Sequence, residues 1–143
     1  MSKVLLLHHL EPMWNEGLKR KNTSFEEMEY KVYLHLKRVK YDKVILTRFE
    51  DYRLGPEYSY ISSFVDNVYD YAYGWEKEMF TSKDEYCPGG NHSEVVYLPD
   101  WVKNLKGSKV SIAGAFLGEC LEDISIALSY CKVKWKYISG LVV

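Results

Sequence analysis

Apolar and polar positions along the chain fall into two alternating textures. Short apolar runs bounded by polar residues recur at residues 3–7, 43–49, 93–98, 109–113 and 134–138, the last extendable through the tail 140–143. Unbroken runs of this kind suit parallel strands covered on both faces, where no side is left for a polar alternate. Between them, apolar residues recur at steps of three and four. Phe25, Met28, Val32, Leu36 and Val39 define one amphipathic helix over 24–40. Ile61, Phe64, Val65, Val68, Tyr71 and Ala72 define a second over 60–78, and Leu121, Ile124, Ala127, Leu128 and Cys131 a third over 119–130.

Local signals fix the ends. Thr23 and Ser24, each followed three residues later by a glutamate, form a capping-box pattern. Lys37, Arg38 and Lys40 suit the negative end of the same helix. Residues 12–22 read as irregular or a short helical turn. A short helix over 99–106 stops at Gly107. Gly55-Pro56 and Pro88-Gly89-Gly90 mark loops. The first strand, helix and second strand form a βαβ unit with a right-handed crossover. Continued alternation predicts a single α/β domain over 1–143: a doubly wound, mostly parallel open sheet of about five strands flanked by helices.

Composition narrows the function classes. The chain of 143 residues, 47% hydrophobic and 27% charged, matches one globular domain. A net charge of −1 argues against a dedicated nucleic-acid binder. No stretch approaches the ~18 apolar residues of a membrane span, and residues 4–7 are too few for a signal-peptide core, so no membrane association and a cytoplasmic location are expected. Cys87, Cys120 and Cys131 form no CxxC pair, which argues against a disulfide framework or a paired-cysteine zinc site. The 13 tyrosines, dense over 52–73, suit positions with an apolar body and a wet hydroxyl, both partly buried crossovers and a homo-oligomer or partner surface.

In open α/β sheets, ligands bind outside the carboxyl ends of the strands where strand order reverses. The residues predicted there form three clusters. His8, His9 and Glu11 follow the first strand. Adjacent side chains on an extended segment point to opposite faces, so one histidine is expected to line a cleft, as a general base or a ligand contact. Arg48, with Glu50 and Asp51, follows the second; its planar fork suits an anionic ligand, or an ion pair with Asp51. Gly114, Gly118, Glu119 and Cys120 follow the fourth. The glycines allow a sharp turn, and the helix N-terminus presents amide groups and a positive dipole end. That dipole favours a thiolate at Cys120, while Glu119, Glu122 and Asp123 oppose it. His92 sits in a loop long enough to fold over the site. No HxH or HxxxH spacing supports a metal, and no GxxxxGK[ST], GxGxxG or GxSxG supports a nucleotide cofactor or hydrolase elbow.

The segment Val110-Ser-Ile-Ala-Gly114-Ala-Phe-Leu-Gly118-Glu-Cys120-Leu resembles the nucleophile region of isochorismatase-like cysteine hydrolases. In that family a strand ends in glycine six residues before a cysteine that opens a helix. The resemblance implies Cys120 as nucleophile. The family's aspartate after the first strand is His8 or His9 here, its threonine after the cysteine is Ile124, and its mid-chain lysine has no clear counterpart. Three readings follow. The first is a small-molecule site for an anionic or nucleotide-like ligand at the strand carboxyl ends, with a histidine as base if catalytic. The second is a cysteine hydrolase using Cys120, and the third an interaction module using the tyrosine-dense segment. No cofactor is called for by any of them.

Overall fold

The computed structural model describes residues 1–48, 54–70 and 100–143. Strand β1 (Lys3–His8) leads through a 3-10 turn (Pro12–Trp14) into helices α1 (Asn15–Arg20) and α2 (Phe25–Arg38). Strands β2 (Lys43–Arg48) and β3 (Asn67–Asp70) follow, then the short α3 (Asp100–Lys103). Strand β4 (Lys109–Gly114), helix α4 (Cys120–Tyr130) and strand β5 (Lys134–Val142) complete the described elements.

All neighbouring strands pair in parallel, in the order β3-β2-β1-β4-β5. The chain moves outward from β1 through β2 to β3. It then returns to the other side of β1 for β4 and β5. The order therefore reverses between β1 and β4, and the open parallel α/β sheet of five strands expected from the sequence is present among the described residues.

Alternation along the strands divides the core between the two faces. Leu5 and Leu7 of β1 pack on one side with Phe25, Met28, Val32 and Leu36 of α2. Val4 and Leu6 pack on the other with Val110 and Ile112 of β4 and Leu121, Ile124 and Leu128 of α4. Because both faces are covered, no position within Val4–His8 is exposed, which is why the run contains no polar alternate before its end. The α2 cap forms as its sequence implies: Ser24 Oγ accepts from the Glu27 amide at 3.1 Å, and Thr23 Oγ1 donates to the Glu27 carboxylate at 3.2 Å.

The helix expected over 60–78 does not form in its described part. Residues 61–64 make a turn, with the Phe64 amide donating to the Ile61 carbonyl at 2.9 Å, and β3 follows. Asp66 starts the pairing. Its amide donates to the Val44 carbonyl at 2.9 Å, and its carboxylate accepts from the Val44 amide at 2.7 Å. The helical spacing of Ile61, Phe64, Val65 and Val68 arose because a turn and a strand set these residues against the same core as α2. Tertiary pairing thus overrode a local pattern. The strand expected at 93–98 lies outside the described residues.

Leu6 is fully buried at the centre of the sheet. Leu6→Ala is expected to cost about 2–5 kcal/mol, by lost transfer energy plus the cavity left behind. Urea unfolding is the check: the midpoint should fall with an unchanged slope.

Candidate functional site at the strand reversal

His8 ends β1 and is the register partner of Gly114, which ends β4. The two strands approach so closely there that a Cβ on Gly114 would lie 1.9 Å from the His8 carbonyl oxygen. Gly114 also has φ +129°, a region open in practice to glycine. The contact lets the Ala115 amide donate to the His8 carbonyl at 3.1 Å. The chain then crosses a cis Ala115-Phe116 bond, turns at Gly118 with φ +77°, and enters α4 at Cys120. Glu119 is the N-cap residue and its carbonyl accepts from the Glu122 and Asp123 amides.

The two histidines do not diverge as an extended segment would place them. His9 has φ +55°, which ends the strand and stacks its ring on that of His8, 4.3 Å between centroids and 21° between planes. Trp14 lies beyond His9, 5.4 Å away and 4° from parallel. His8 faces inward. Its Nδ1 is 2.7 Å from the Thr47 hydroxyl, which donates at 3.2 Å to the Leu7 carbonyl. The main chain of Cys120 lies close enough to act on the charge of the His8 ring.

Burial sets the charge of both rings. Desolvation holds His8 well below its ordinary pKa, with the neighbouring His9 adding to the effect and the Cys120 main chain opposing it. Desolvation alone takes His9 down to about 3. Both rings are therefore neutral at physiological pH.

His9, itself buried, backs a cleft of about 650 Å³ whose wall also includes Trp14, Arg20, Phe116, Glu119 and Cys120. Its volume lies within the usual ligand-pocket range of about 300–1,000 Å³. The cleft is lined by the Trp14 and Phe116 rings, which meet edge-on, and carries both signs of charge, with Lys21 and Arg20 against Glu16 and Glu119. Cys120 is half-buried and makes no disulfide. Thus His9, Glu119 and Cys120, singled out from sequence, meet in one cleft, while His8 and Gly114 form its support.

Glu11 and Arg48 lie together in a separate polar layer. Glu11 is buried and accepts from Trp14 Nε1 at 3.0 Å and from Arg48 Nε at 3.4 Å. Arg48 Nη2 is 2.9 Å from Glu57, and its guanidinium stacks over Tyr58 at 5.4 Å. Desolvation works against the Arg48 charge, but Tyr58, Glu57 and Glu11 outweigh it and raise its pKa. The fork foreseen for an anionic ligand holds two carboxylates. Its expected partner Asp51 lies outside the described residues, as do Glu50, His92 and Cys87. Among the described residues, no group of three or more His, Cys, Asp or Glu side chains is arranged to hold a metal ion, and no helix is long and apolar enough to cross a membrane.

Two features escaped sequence reading. Glu29 is buried within α2 and accepts from the amides of Tyr60 at 2.7 Å and Ile61 at 3.2 Å, closing the turn before β3. Its place one residue from the apolar stripe was the available signal. Tyr58, in the tyrosine-dense segment, is core rather than surface: its hydroxyl donates to the Leu10 carbonyl at 2.6 Å and its ring meets Phe25 edge-on. Comparison with known proteins found no matching family model, no matching curated relative and no matching solved structure.

The neutral histidines imply a pH dependence. An unfolded histidine takes up a proton near its ordinary 6.5, whereas folded His9 does so near 3. Between those values the unfolded chain binds more protons, so stability falls as pH is lowered through the window, and His8 acts in the same direction. The slope contributed should approach about 1.4 kcal/mol per pH unit for each histidine. Urea midpoints measured at stepped pH should show it, and His9→Phe should flatten the profile; an unaltered profile would assign acid sensitivity to other groups. Separately, Gly114→Ala should destabilise by more than about 3 kcal/mol, because the added carbon meets backbone that no rotamer change relieves. Thermal unfolding decides it.

Proposed function

We propose that this chain binds and processes a small molecule in the cleft at the β1–β4 reversal, with Cys120 as the reacting group. The observation that carries this reading is the convergence of His9 and Cys120 on one pocket-sized cleft. It stands where open α/β sheets commonly hold their ligands. Aromatic walls at Trp14 and Phe116 favour a flat, partly apolar ligand, and Arg20 and Lys21 favour an anionic end.

Cys120 is the first residue of an eleven-residue helix, so the dipole favours its thiolate. Arg20 and Lys21 act in the same sense, and Glu119 and Glu122 against it. His9 is a weak base because burial resists its charge. Its role is a neutral ring stacked behind Trp14 at the cleft wall, and the thiol proton leaves to solvent. The thiolate then attacks an acyl carbon. A carbon–sulfur bond forms, the bond to the amine or alcohol breaks, and that leaving group takes a proton from water. Water cleaves the thioester, returning the carboxylic acid and the thiol.

The test is a panel of small esters and amides followed by intact-protein mass measurement. An adduct of acyl mass on Cys120 is expected, with turnover reduced to background in Cys120→Ser. Equal turnover in parent and Cys120→Ser would remove the covalent mechanism. Failure of any panel member to slow alkylation of Cys120 by iodoacetamide would remove the cleft as the binding site.

A further inference from the structure

A second groove lies at the opposite end of the sheet. It has a volume of about 870 Å³, on the α2 face, between the end of α2 and strands β4 and β5. Its wall includes Lys3, Lys109, Lys136, His35, Tyr41 and Ser111. None of the described residues lining it is a carboxylate. The chain as a whole carries a net charge of −1, so this is a local concentration and not a general excess.

Parallel pairing produces the concentration. Lys3 is the register partner of Lys109, and Lys109 of Lys134, so three strands each place a lysine at the same level of the same face. Neighbouring strands are about 4.8 Å apart. Lys136 follows two residues later on β5, paired with Ser111. Like charges held side by side across strands repel. One acid is close: the Asp42 carboxylate accepts from the Lys3 amide at 2.7 Å, at the rim.

Polar groups with hydrogen-bonding capacity sit among these cations. His35 Nε2 is 2.7 Å from the Tyr41 hydroxyl, and Ser111 lines the same wall. Lys3 Nζ lies 5.3 Å from the centre of the Tyr41 ring. His35 is held below its ordinary pKa by desolvation first, then by Arg38, Lys3 and Lys136. The lysine charges therefore converge on one imidazole that has hydroxyl groups around it.

We propose that this groove is a binding site for a phosphorylated small molecule, distinct from the Cys120 cleft and independent of its chemistry. Its anionic groups neutralise the lysine row, and the Ser111 and Tyr41 hydroxyls orient them. The row sits at the amino ends of the strands, and Cys120 opens from the carboxyl ends.

The probe is sodium pyrophosphate at low ionic strength, followed by calorimetry and by the His35 ring signals in NMR. Saturable binding is expected, together with an upward shift of the His35 titration midpoint as the anion offsets Lys3 and Lys136. Affinity should fall at least tenfold in the double variant Lys3→Gln, Lys136→Gln. It should be unchanged in Lys106→Gln, an exposed lysine after α3. All three lysines are exposed, and circular dichroism of the variants verifies their fold. Absence of saturable binding, an unmoved His35 or an equal loss in Lys106→Gln overturns the proposal. So does a duplex DNA oligonucleotide that binds more tightly than pyrophosphate with the same lysine dependence, since that outcome indicates a nucleic-acid track.

Discussion

The approach of Gly114 to the His8 carbonyl is the contact on which the carboxyl end of the sheet depends. A side chain at position 114 would occupy the space of that carbonyl. With glycine there, β1 and β4 stay paired to their last residues, and the Ala115 amide extends the ladder by one bond. The Gly114 carbonyl meanwhile accepts from the Val143 amide at 3.1 Å, which draws in the end of β5. Three strand ends are thus tied through one residue without a side chain. The loop that follows delivers α4, and Cys120 with it, beside the histidines of β1.

Around that contact the chain buries polar groups in two layers of opposite character. Between β1 and β2, His8, Thr47 and the Leu7 carbonyl form a neutral sequence of hydrogen bonds. Neutral groups suit this place, since a charge without a full set of partners would be costly so deep in the sheet. Nearer the surface, Glu11, Arg48 and Glu57 form a charged layer with Trp14 and Tyr58 bracing it. Here each charge has partners, and the arginine is only partly exposed. The charged layer fixes the segment after β1, so Trp14 can stack on His9 from a set position. Positioning thus passes from the ion pair to the ring that walls the cleft.

Much of this was legible in the sequence. The runs at 3–7, 109–113 and 134–138, and the described part of the run at 43–49, became strands because burial on both faces leaves no other reading for such short apolar stretches. Ser24 and Glu27 marked the start of α2. The rule that ligands favour the carboxyl ends of strands brought His9, Glu119 and Cys120 onto one short list, and they share a cleft. What failed did so for tertiary reasons. Residues 61–68 carry a helical spacing, yet Asp66 locks the segment to Val44, a residue far away in the chain. The stacking of His8 on His9 rests on a positive φ that no periodicity announces. Glu11 was read as a companion of the histidines and is held instead by Trp14 and Arg48, a pairing that needs the fold to be seen.

The amino end of the sheet shows a different route from sequence to chemistry. Lys3, Lys43, Lys109 and Lys134 each open a strand, and in the linear sequence each is an ordinary polar boundary. An antiparallel sheet would send alternate starts to opposite ends and disperse the charges. A parallel sheet sends every start to the same end. The register pairs among Lys3, Lys109 and Lys134 then bring them to one face, the one on which α2 packs. A row of cations so formed raises the local potential and attracts anions whether or not they enter the groove. At the carboxyl ends, by contrast, Arg20 and Lys21 share the cleft wall with Glu16 and Glu119, so both signs are present there. The two proposed sites therefore differ in kind: the groove offers lysines with no carboxylate among its described lining, and the cleft a mixed set of charges beside Trp14 and Phe116.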